Sequence, residues 1–418
     1  MLISLLLLLA QEKPLIKDFV GLNGHTVQFK PKLYAPVCRL ARDYHPVEWD
    51  LGKETDFVTQ FPFARNRVSW DQVYGSWRAE GWDVNVSLMF ETIPQKEWKD
   101  VARDAFAYGK AFAKAFGPSA PKPLVQSAEI GNEPGKWDDA SYRTMFEAMA
   151  KGFREGDPKL KIATCAAIAG KSHDYAKSLE CVKGLEGLYD VLNIHAYAQL
   201  ENWPTWKRSY PEDARLLEYL NHMDAAITWR NANAPGKPIW LTEFGYDSST
   251  KEPPKTGDFS KWVGNTDTEQ AQWLVRSILV FAALDLARCY IYFFDDKDEP
   301  SLHAASGVTR NGQPKPSFHA LAQLQTLLGE YRFSRVREAK PGEVYAYEFK
   351  TADPNKLAVA VWSPTGSKRS SIYALPLEGW RIVKTERMTL AAAPGPRADL
   401  KANEIPFDES PTYLFLEK

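Results

Sequence analysis

The chain of 418 residues is long enough for two domains, or for one large barrel with an appended domain. Its 44% hydrophobic and 25% charged residues are typical of a folded protein and exclude a disordered, fibrous or coiled-coil chain. The 52 basic and 53 acidic side chains leave a net charge of −1, so charge recruits neither nucleic acid nor an anionic membrane. The 14 Trp, 18 Tyr and 21 Phe suit either flat, half-apolar ligands or ordinary core packing, and composition leaves both open.

The amino-terminal segment contains an apolar run, Leu2–Leu9, that is too short to span a bilayer. It resembles the apolar part of a secretory signal peptide, although no Lys or Arg precedes it and Leu8-Leu9-Ala10 is a poor cleavage site. We expect residues 1–10 to be a signal peptide and the mature protein to be secreted or periplasmic. No other stretch is long and apolar enough to predict a membrane span.

Eight short apolar runs alternate with helical patterns between about residues 19 and 330. Most are near-continuously apolar, which is typical of parallel strands covered on both faces. The runs are Phe19–His25, Val37–Tyr44, Val84–Phe90, Val125–Glu133, Leu160–Ala166, Tyr189–Tyr197, Pro238–Gly245 and Cys289–Phe294. The helical patterns are Trp98–Phe116, Tyr142–Phe153, Ala214–Asn231 and Thr268–Ala287.

This alternation predicts an α/β fold, a (β/α)8 TIM barrel over residues 11–330. A doubly wound open sheet is the competing topology. The chain carries neither GxGxxG nor GxxxxGK[ST], the glycine-rich motifs by which such sheets bind nucleotides.

After about residue 330 the hydrophobic period changes from helical to two, with turn residues between the runs. The runs are Val344–Lys350, Lys356–Ser363, Ser371–Leu375, Trp380–Thr389 and Thr412–Glu417. They predict a small antiparallel, β-sandwich-like domain over residues 331–418. No low-complexity linker separates it from the barrel, so we expect the two to pack together.

Two glutamates stand where predicted strands meet their loops. The fourth run ends in Asn132-Glu133-Pro134, and Glu243 closes the seventh run, 110 residues further along the chain. The carboxyl ends of barrel strands meet at one mouth, so both carboxylates should face the same cavity. Such a pair can hydrolyse a glycosidic bond, because one protonates the leaving oxygen while the other attacks the anomeric carbon.

This pattern resembles clan A of the retaining glycoside hydrolases, over roughly residues 19–330. Within the clan the chain is most similar to family 39 and its relatives, which also carry a β-sandwich. The resemblance implies that Glu133 is the acid/base, Glu243 the nucleophile, and Asn132 the donor to the 2-hydroxyl of the substrate.

The resemblance also implies an arginine on strand two that keeps the nucleophile ionised. Arg39 is the first candidate and Arg42 the second. His195 and Tyr197 end strand six, where the clan supplies polar contacts near the nucleophile, and a structural role in the core is the alternative for His195.

Two further residues are candidate substrate contacts. His45 lies in the polar-aromatic stretch after strand two, and Trp203 lies in the long loop after strand six, where it could stack on a sugar ring. Ordinary loop packing is the alternative for both. The tryptophan that often closes strand eight in the clan is replaced here by Phe293-Phe294, which leaves the floor of the sugar site undefined.

The sequence therefore predicts a secreted retaining β-glycosidase that acts on an oligo- or polysaccharide by double displacement through a glycosyl-enzyme on Glu243. We expect no cofactor and no metal, since the four cysteines form no CxxC pair and no histidine spacing suits zinc. A transglycosylase that uses the same two glutamates and a non-catalytic carbohydrate-binding barrel are the alternatives.

Overall fold

The structure, a computed structural model, describes residues 12–393 and 403–418. The predicted signal peptide, residues 1–10, lies outside the described residues. Among the helices that are described, none has the length and apolar character that a membrane crossing needs.

Eight parallel strands close into a barrel, as the sequence predicts. They are β1 (Val20–Asn23), β2 (Leu40–Pro46), β3 (Asp83–Met89), β4 (Ser127–Ile130), β5 (Lys161–Ile168), β6 (Val191–His195), β7 (Ile239–Phe244) and β8 (Arg288–Ile291). Each strand pairs with the next along the chain, and β1 also pairs with β8, which completes the ring. Leu40, Ala163, Val191, Trp240 and Tyr290 form a separate buried apolar cluster contributed by the barrel strands. The barrel is therefore a packed core, with functional groups left to its mouth.

Helices lie between the strands and cover the barrel. They are α1 (Trp70–Ala79), α2 (Val101–Phe116), α3 (Asp139–Gly156), α4 (Leu220–Asn233), α5 (Asp267–Ala283) and α6 (Pro316–Leu328). Only short turns of helix follow two of the strands, at Thr26–Gln28 and Pro31–Tyr34 after β1 and at Leu179–Val182 after β5. Helix α5 begins with a capping box, in which Thr266 and Glu269 each bond the backbone of the other.

The carboxyl-terminal domain is antiparallel, as predicted. Its strands are β9 (Arg332–Lys340), β10 (Val344–Lys350), β11 (Lys356–Trp362), β12 (Ser371–Ala374), β13 (Arg381–Arg387), β14 (Glu404–Phe407) and β15 (Thr412–Glu417). Five of them form one sheet in the order β9-β10-β11-β15-β13, and β12 pairs with β14. The sequence did not predict β9 or β14, because β9 is largely polar and β14 is short and contains a proline.

Strand β11 shows how the larger sheet joins two cores. Leu357, Val359 and Val361 are buried together with residues of the small sheet, while Ala358 and Trp362 belong to the apolar core of the barrel. This is the alternation that a strand covered on both faces requires. The larger sheet is therefore packed directly on the barrel.

Candidate active site

The ends of β4 and β7 bring Glu133 and Glu243 together. One carboxylate oxygen of each, and a ring nitrogen of His195, lie within 4.8 Å of one another. Gly131, directly before Asn132, has a φ of 90°, which glycine adopts without strain. A Cβ at this position would lie 2.7 Å from the Phe90 ring, so the turn that presents Glu133 depends on this glycine.

Glu243 lies at the bottom of the mouth and is held by three donors. Its side chain is 6% exposed, whereas that of Glu133 is 28% exposed. Arg42 Nη1 donates to Glu243 Oε1 over 3.0 Å, the Tyr44 hydroxyl to the same oxygen over 2.7 Å, and the Tyr197 hydroxyl to Oε2 over 2.7 Å. Burial alone would raise the pKa of Glu243, but His195, Arg42 and the two tyrosines outweigh it and hold the pKa at about 2. Glu243 is therefore ionised near neutral pH.

The arginine beside Glu243 is Arg42, and the prediction of Arg39 was wrong. Arg39 precedes the first residue of β2, at the end of the barrel away from the mouth, and is exposed. Arg42 is fully buried and also bonds Glu129, Asn23 Oδ1 and Asn132 Oδ1. A strand rises about 3.3 Å per residue, so three positions along β2 separate the bottom of the barrel from its active end.

His45 does not reach the cavity, contrary to the prediction. It is fully buried, its ring stacks on Trp70 at 3.9 Å, and its nitrogens bond the Tyr74 hydroxyl and Asp50. Strand β2 continues to Pro46, so His45 lies on the strand face that packs against α1, opposite to the face of Arg42 and Tyr44. The histidine is part of the packing between strand and helix.

The other predicted residues do lie at the mouth. His195 Nδ1 lies 2.9 Å from Glu133 Oε1, and its Nε2 lies 3.0 Å from Thr242 Oγ1. Asn132 and Tyr197 line the cavities beside the glutamates, and Trp203 stands at the outer wall with 68% of its surface exposed. Their positions are compatible with substrate contacts.

The sequence analysis missed Tyr44, Tyr292 and His303. Tyr44 lies two residues after Arg42 on β2, so both side chains point to the same face of the strand. This spacing could have been used to predict Tyr44 from the sequence. Tyr292 and His303 come from the connection after β8 and pack edge to face against Tyr197 or against each other. Burial lowers the pKa of His303 to about 4, so its ring is neutral near pH 7.

Glu91, which follows β3, was also missed. Its Oε1 accepts the backbone N–H groups of Asn132 over 2.7 Å and of Glu133 over 3.0 Å. Its Oε2 is buried and has no hydrogen-bond partner among the described residues. Burial raises the pKa of Glu91 to about 7, although the two backbone donors oppose this. Glu91 thus fixes the backbone that carries Glu133.

Two cavities meet at the glutamates. The smaller, of about 370 Å3, is lined by both glutamates, Asn132, Tyr44 and the aromatic side chains after β8. The larger, of about 810 Å3, is lined by Glu133 but not by Glu243, and extends over the loops after β5 and β6. Glu133 and His303 line both cavities and mark their junction.

Glu133, His195 and Glu243 also offer three donor atoms at a spacing that could hold one metal ion. Both nitrogens of His195 and both oxygens of Glu243 already bond protein groups. A metal ion would have to displace these bonds, so the hydrogen-bonded arrangement fits acid and base chemistry better than metal ligation.

Comparisons with known proteins agree with this geometry at the level of the fold. No family model matches the chain, and no curated protein matches it. The same arrangement of barrel and sheet is found in several glycoside hydrolases of known structure. A family 39 glycoside hydrolase from Bacteroides cellulosilyticus WH2 superposes with a TM-score of 0.68 at 16% identity, over 97% of this chain and 81% of that chain. The fold expected from the resemblance to family 39 is thereby confirmed.

Other glycoside hydrolases share the architecture. A glucosidase from Croceicoccus marinus has a TM-score of 0.65 at 12% identity, over 98% of this chain and 97% of that one. A family 30 subfamily 8 xylanase from Clostridium acetobutylicum has a TM-score of 0.59 at 12% identity, over 98% of each chain. Identities this low establish the common fold, and the function must be argued from the site.

Proposed function

We propose that this protein is a retaining β-glycosidase that hydrolyses O-glycosidic bonds of an oligo- or polysaccharide. The observation that carries the proposal is the approach of Glu133 and Glu243 to within 4.8 Å at the barrel mouth. Retaining enzymes need their two carboxyl groups about 5 Å apart, whereas inverting enzymes need a wider gap that admits water.

The unequal surroundings of the two glutamates support different roles for them. Glu243 is buried and ionised, which suits the nucleophile that forms a bond to the anomeric carbon. Glu133 is more exposed and faces both cavities, which suits the acid that protonates the leaving oxygen. In the second step Glu133 takes a proton from water, and that water displaces the sugar from Glu243 with net retention.

A chain of hydrogen bonds behind Glu133 supports its role as the acid. The Thr242 hydroxyl donates to Asn193 Oδ1, so it has no proton left for His195 and must accept from His195 Nε2–H. His195 Nδ1 lies 2.9 Å from Glu133 Oε1, so the chain from Asn193 through Thr242 to His195 orients the ring that holds the Glu133 carboxyl at the junction of the two cavities.

The roles can be tested with the variants Glu133→Ala and Glu243→Ala. Glu133→Ala should still be glycosylated by substrates with good leaving groups, and azide, which needs no base, should restore turnover with a product of retained configuration. Glu243→Ala should give an inverted product with azide, because the anion attacks the opposite face. The reverse pattern would exchange the two assignments, and an inverted product from the wild type would exclude the retaining mechanism. Products longer than the substrate would identify a transglycosylase.

We also propose that the protein is exported, to the periplasm or the medium. Support comes from the sequence alone, from the apolar run Leu2–Leu9. The test is amino-terminal sequencing of protein recovered from cell fractions. A processed chain outside the cytoplasm would support export, and an intact chain in the cytoplasm would contradict it.

A further inference from the structure

The two cavities that meet at Glu133 differ in their contact with the glutamates. Both glutamates line the smaller cavity, but only Glu133 of the two lines the larger one. In double displacement the nucleophile lies beneath the sugar that is attacked, and the acid lies beside the oxygen that leaves. If the proposed function holds, the attacked sugar occupies the smaller cavity and the leaving group occupies the larger.

The smaller cavity offers little room beyond the attacked sugar. At about 370 Å3 it is near the lower end of the range for small-molecule sites. Besides the catalytic groups, it is bordered by His25, Pro46, Met89 and Phe293. The larger cavity has more than twice this volume, about 810 Å3.

The walls of the larger cavity have the chemistry of a sugar-chain site. Trp203 and Tyr175 are 68% and 65% exposed, and their apolar faces are free to stack on pyranose rings. Trp206 Nε1 and His222 Nε2 are buried and have no hydrogen-bond partner among the described residues. Unpaired buried nitrogen atoms of this kind are costly unless a ligand hydroxyl or water satisfies them.

We infer that this enzyme binds its substrate with more sugar units on the leaving-group side than on the attacked side. It therefore removes a short unit, of one or two sugars, from the non-reducing end of a longer chain. The occupant of the larger cavity is the remainder of that glycan chain, held by Trp203 and Tyr175.

The test uses oligosaccharides labelled at the reducing end and the matching β-glycosyl fluorides, in a panel of glucose, xylose, galactose and mannose. At early times the labelled product should be one or two sugars shorter than the substrate. Labelled mono- or disaccharides, or an even ladder of products, would overturn the inference while leaving the proposed function standing. No turnover of any fluoride would contradict the proposed function itself.

Variants of the cavity wall give a second measurement. Fluoride is too small to reach the larger cavity, so the ratio of kcat/KM for a long oligosaccharide to kcat/KM for the fluoride reports on that cavity. Trp203→Ala and Tyr175→Ala should each lower this ratio at least tenfold. Ile372→Ala, which changes an equally exposed apolar side chain on β12, is the matched control and should leave the ratio unchanged. Equal ratios in all four proteins would exclude the assignment of the cavity.

Discussion

At the scale of single residues, Glu243 and Arg42 show how the site keeps a carboxylate ionised although its burial favours the neutral form. Glu243 is almost fully buried and yet ionised, because one guanidinium and two tyrosine hydroxyls point at its oxygens. Arg42 in turn is shared with Glu129, so Glu243 belongs to a buried network of alternating charges. Such a network fixes geometry and charge together.

Removing a donor from Glu243 should raise its pKa and move the acidic limb of the pH–activity profile to higher pH. Arg42→Met removes a positive charge and should have the larger effect, but it also leaves Glu129 buried without its cation, which costs about 3 to 5 kcal/mol. Tyr197→Phe removes only one hydrogen bond and should move the limb less while the protein stays folded. Arg39→Met is the control, and a shift caused by this exposed residue would refute the assignment of Arg42.

Glu91 should make stability depend on pH. Its pKa rises from 4.5 to about 7 on folding, so its favourable contribution is present below pH 4.5 and is lost as the pH rises through 7. At about 1.4 kcal/mol per pKa unit the loss is at most about 3 to 4 kcal/mol. Urea titrations of the wild type and Glu91→Gln should therefore give unfolding free energies whose difference changes between pH 4.5 and 7. Parallel curves would show that Glu91 does not titrate in this range.

At the scale of elements, the connection after β6 forms most of one cleft wall and is held at two points. Arg208 stacks on the Tyr197 ring at 4.4 Å, pairs with Asp247 and donates to the carbonyl of Gly245. Further along, Glu212 bonds Arg276 of α5 and accepts from Trp362 Nε1 of β11 over 2.6 Å. The carboxyl-terminal domain thus contacts the same connection that carries Trp203.

Removing the ion pair between Glu212 and Arg276 should destabilise the protein strongly. Glu212→Ala leaves the guanidinium of Arg276, which is fully buried, without its carboxylate, and should lower the free energy of unfolding by about 3 kcal/mol or more. Glu330→Ala removes the exposed pair with Lys17, which solvent screens, and should cost far less. Urea unfolding of both variants measures the difference, and equal losses would show that burial of the pair is unimportant.

At the scale of the whole molecule, one apolar core extends across the boundary between barrel and β-domain. Trp362, Tyr413 and Met388 of the domain are buried in the same cluster as the barrel residues Trp273 and Phe318. We propose the boundary near residue 330, since α6 ends at Leu328 and β9 begins at Arg332. The domain is then a structural part of the protein.

A chain ended after residue 330 should therefore not form a stable monomer. It would expose the barrel surface that packs on Trp362 and leave Arg276 without the carbonyl of Thr365. Gel filtration and thermal unfolding of the truncated chain test this. A monomeric, cooperatively melting barrel with activity would show that the domain is dispensable.

The sequence by itself determined the barrel and the two glutamates. Strands buried on both faces are near-continuously apolar, so all eight barrel strands could be found from hydrophobic runs. The ends of such strands must face one mouth, which was sufficient to bring Glu133 and Glu243 together although 110 residues separate them. Both inferences depend on the hydrophobic periodicity and on the order of the strands, which can be obtained from one sequence.

The tertiary structure decided which neighbours serve those glutamates. Arg39 lies just before β2, whereas Arg42 and His45 lie on opposite faces of it. The sequence did not show that this strand begins at Leu40 and ends at Pro46. Glu91, His303 and the two cavities depend on loops whose course is set by long-range packing. A hydrogen bond needs its partners placed to within a few tenths of an ångström, and hydrophobic patterning fixes only which face of an element is buried.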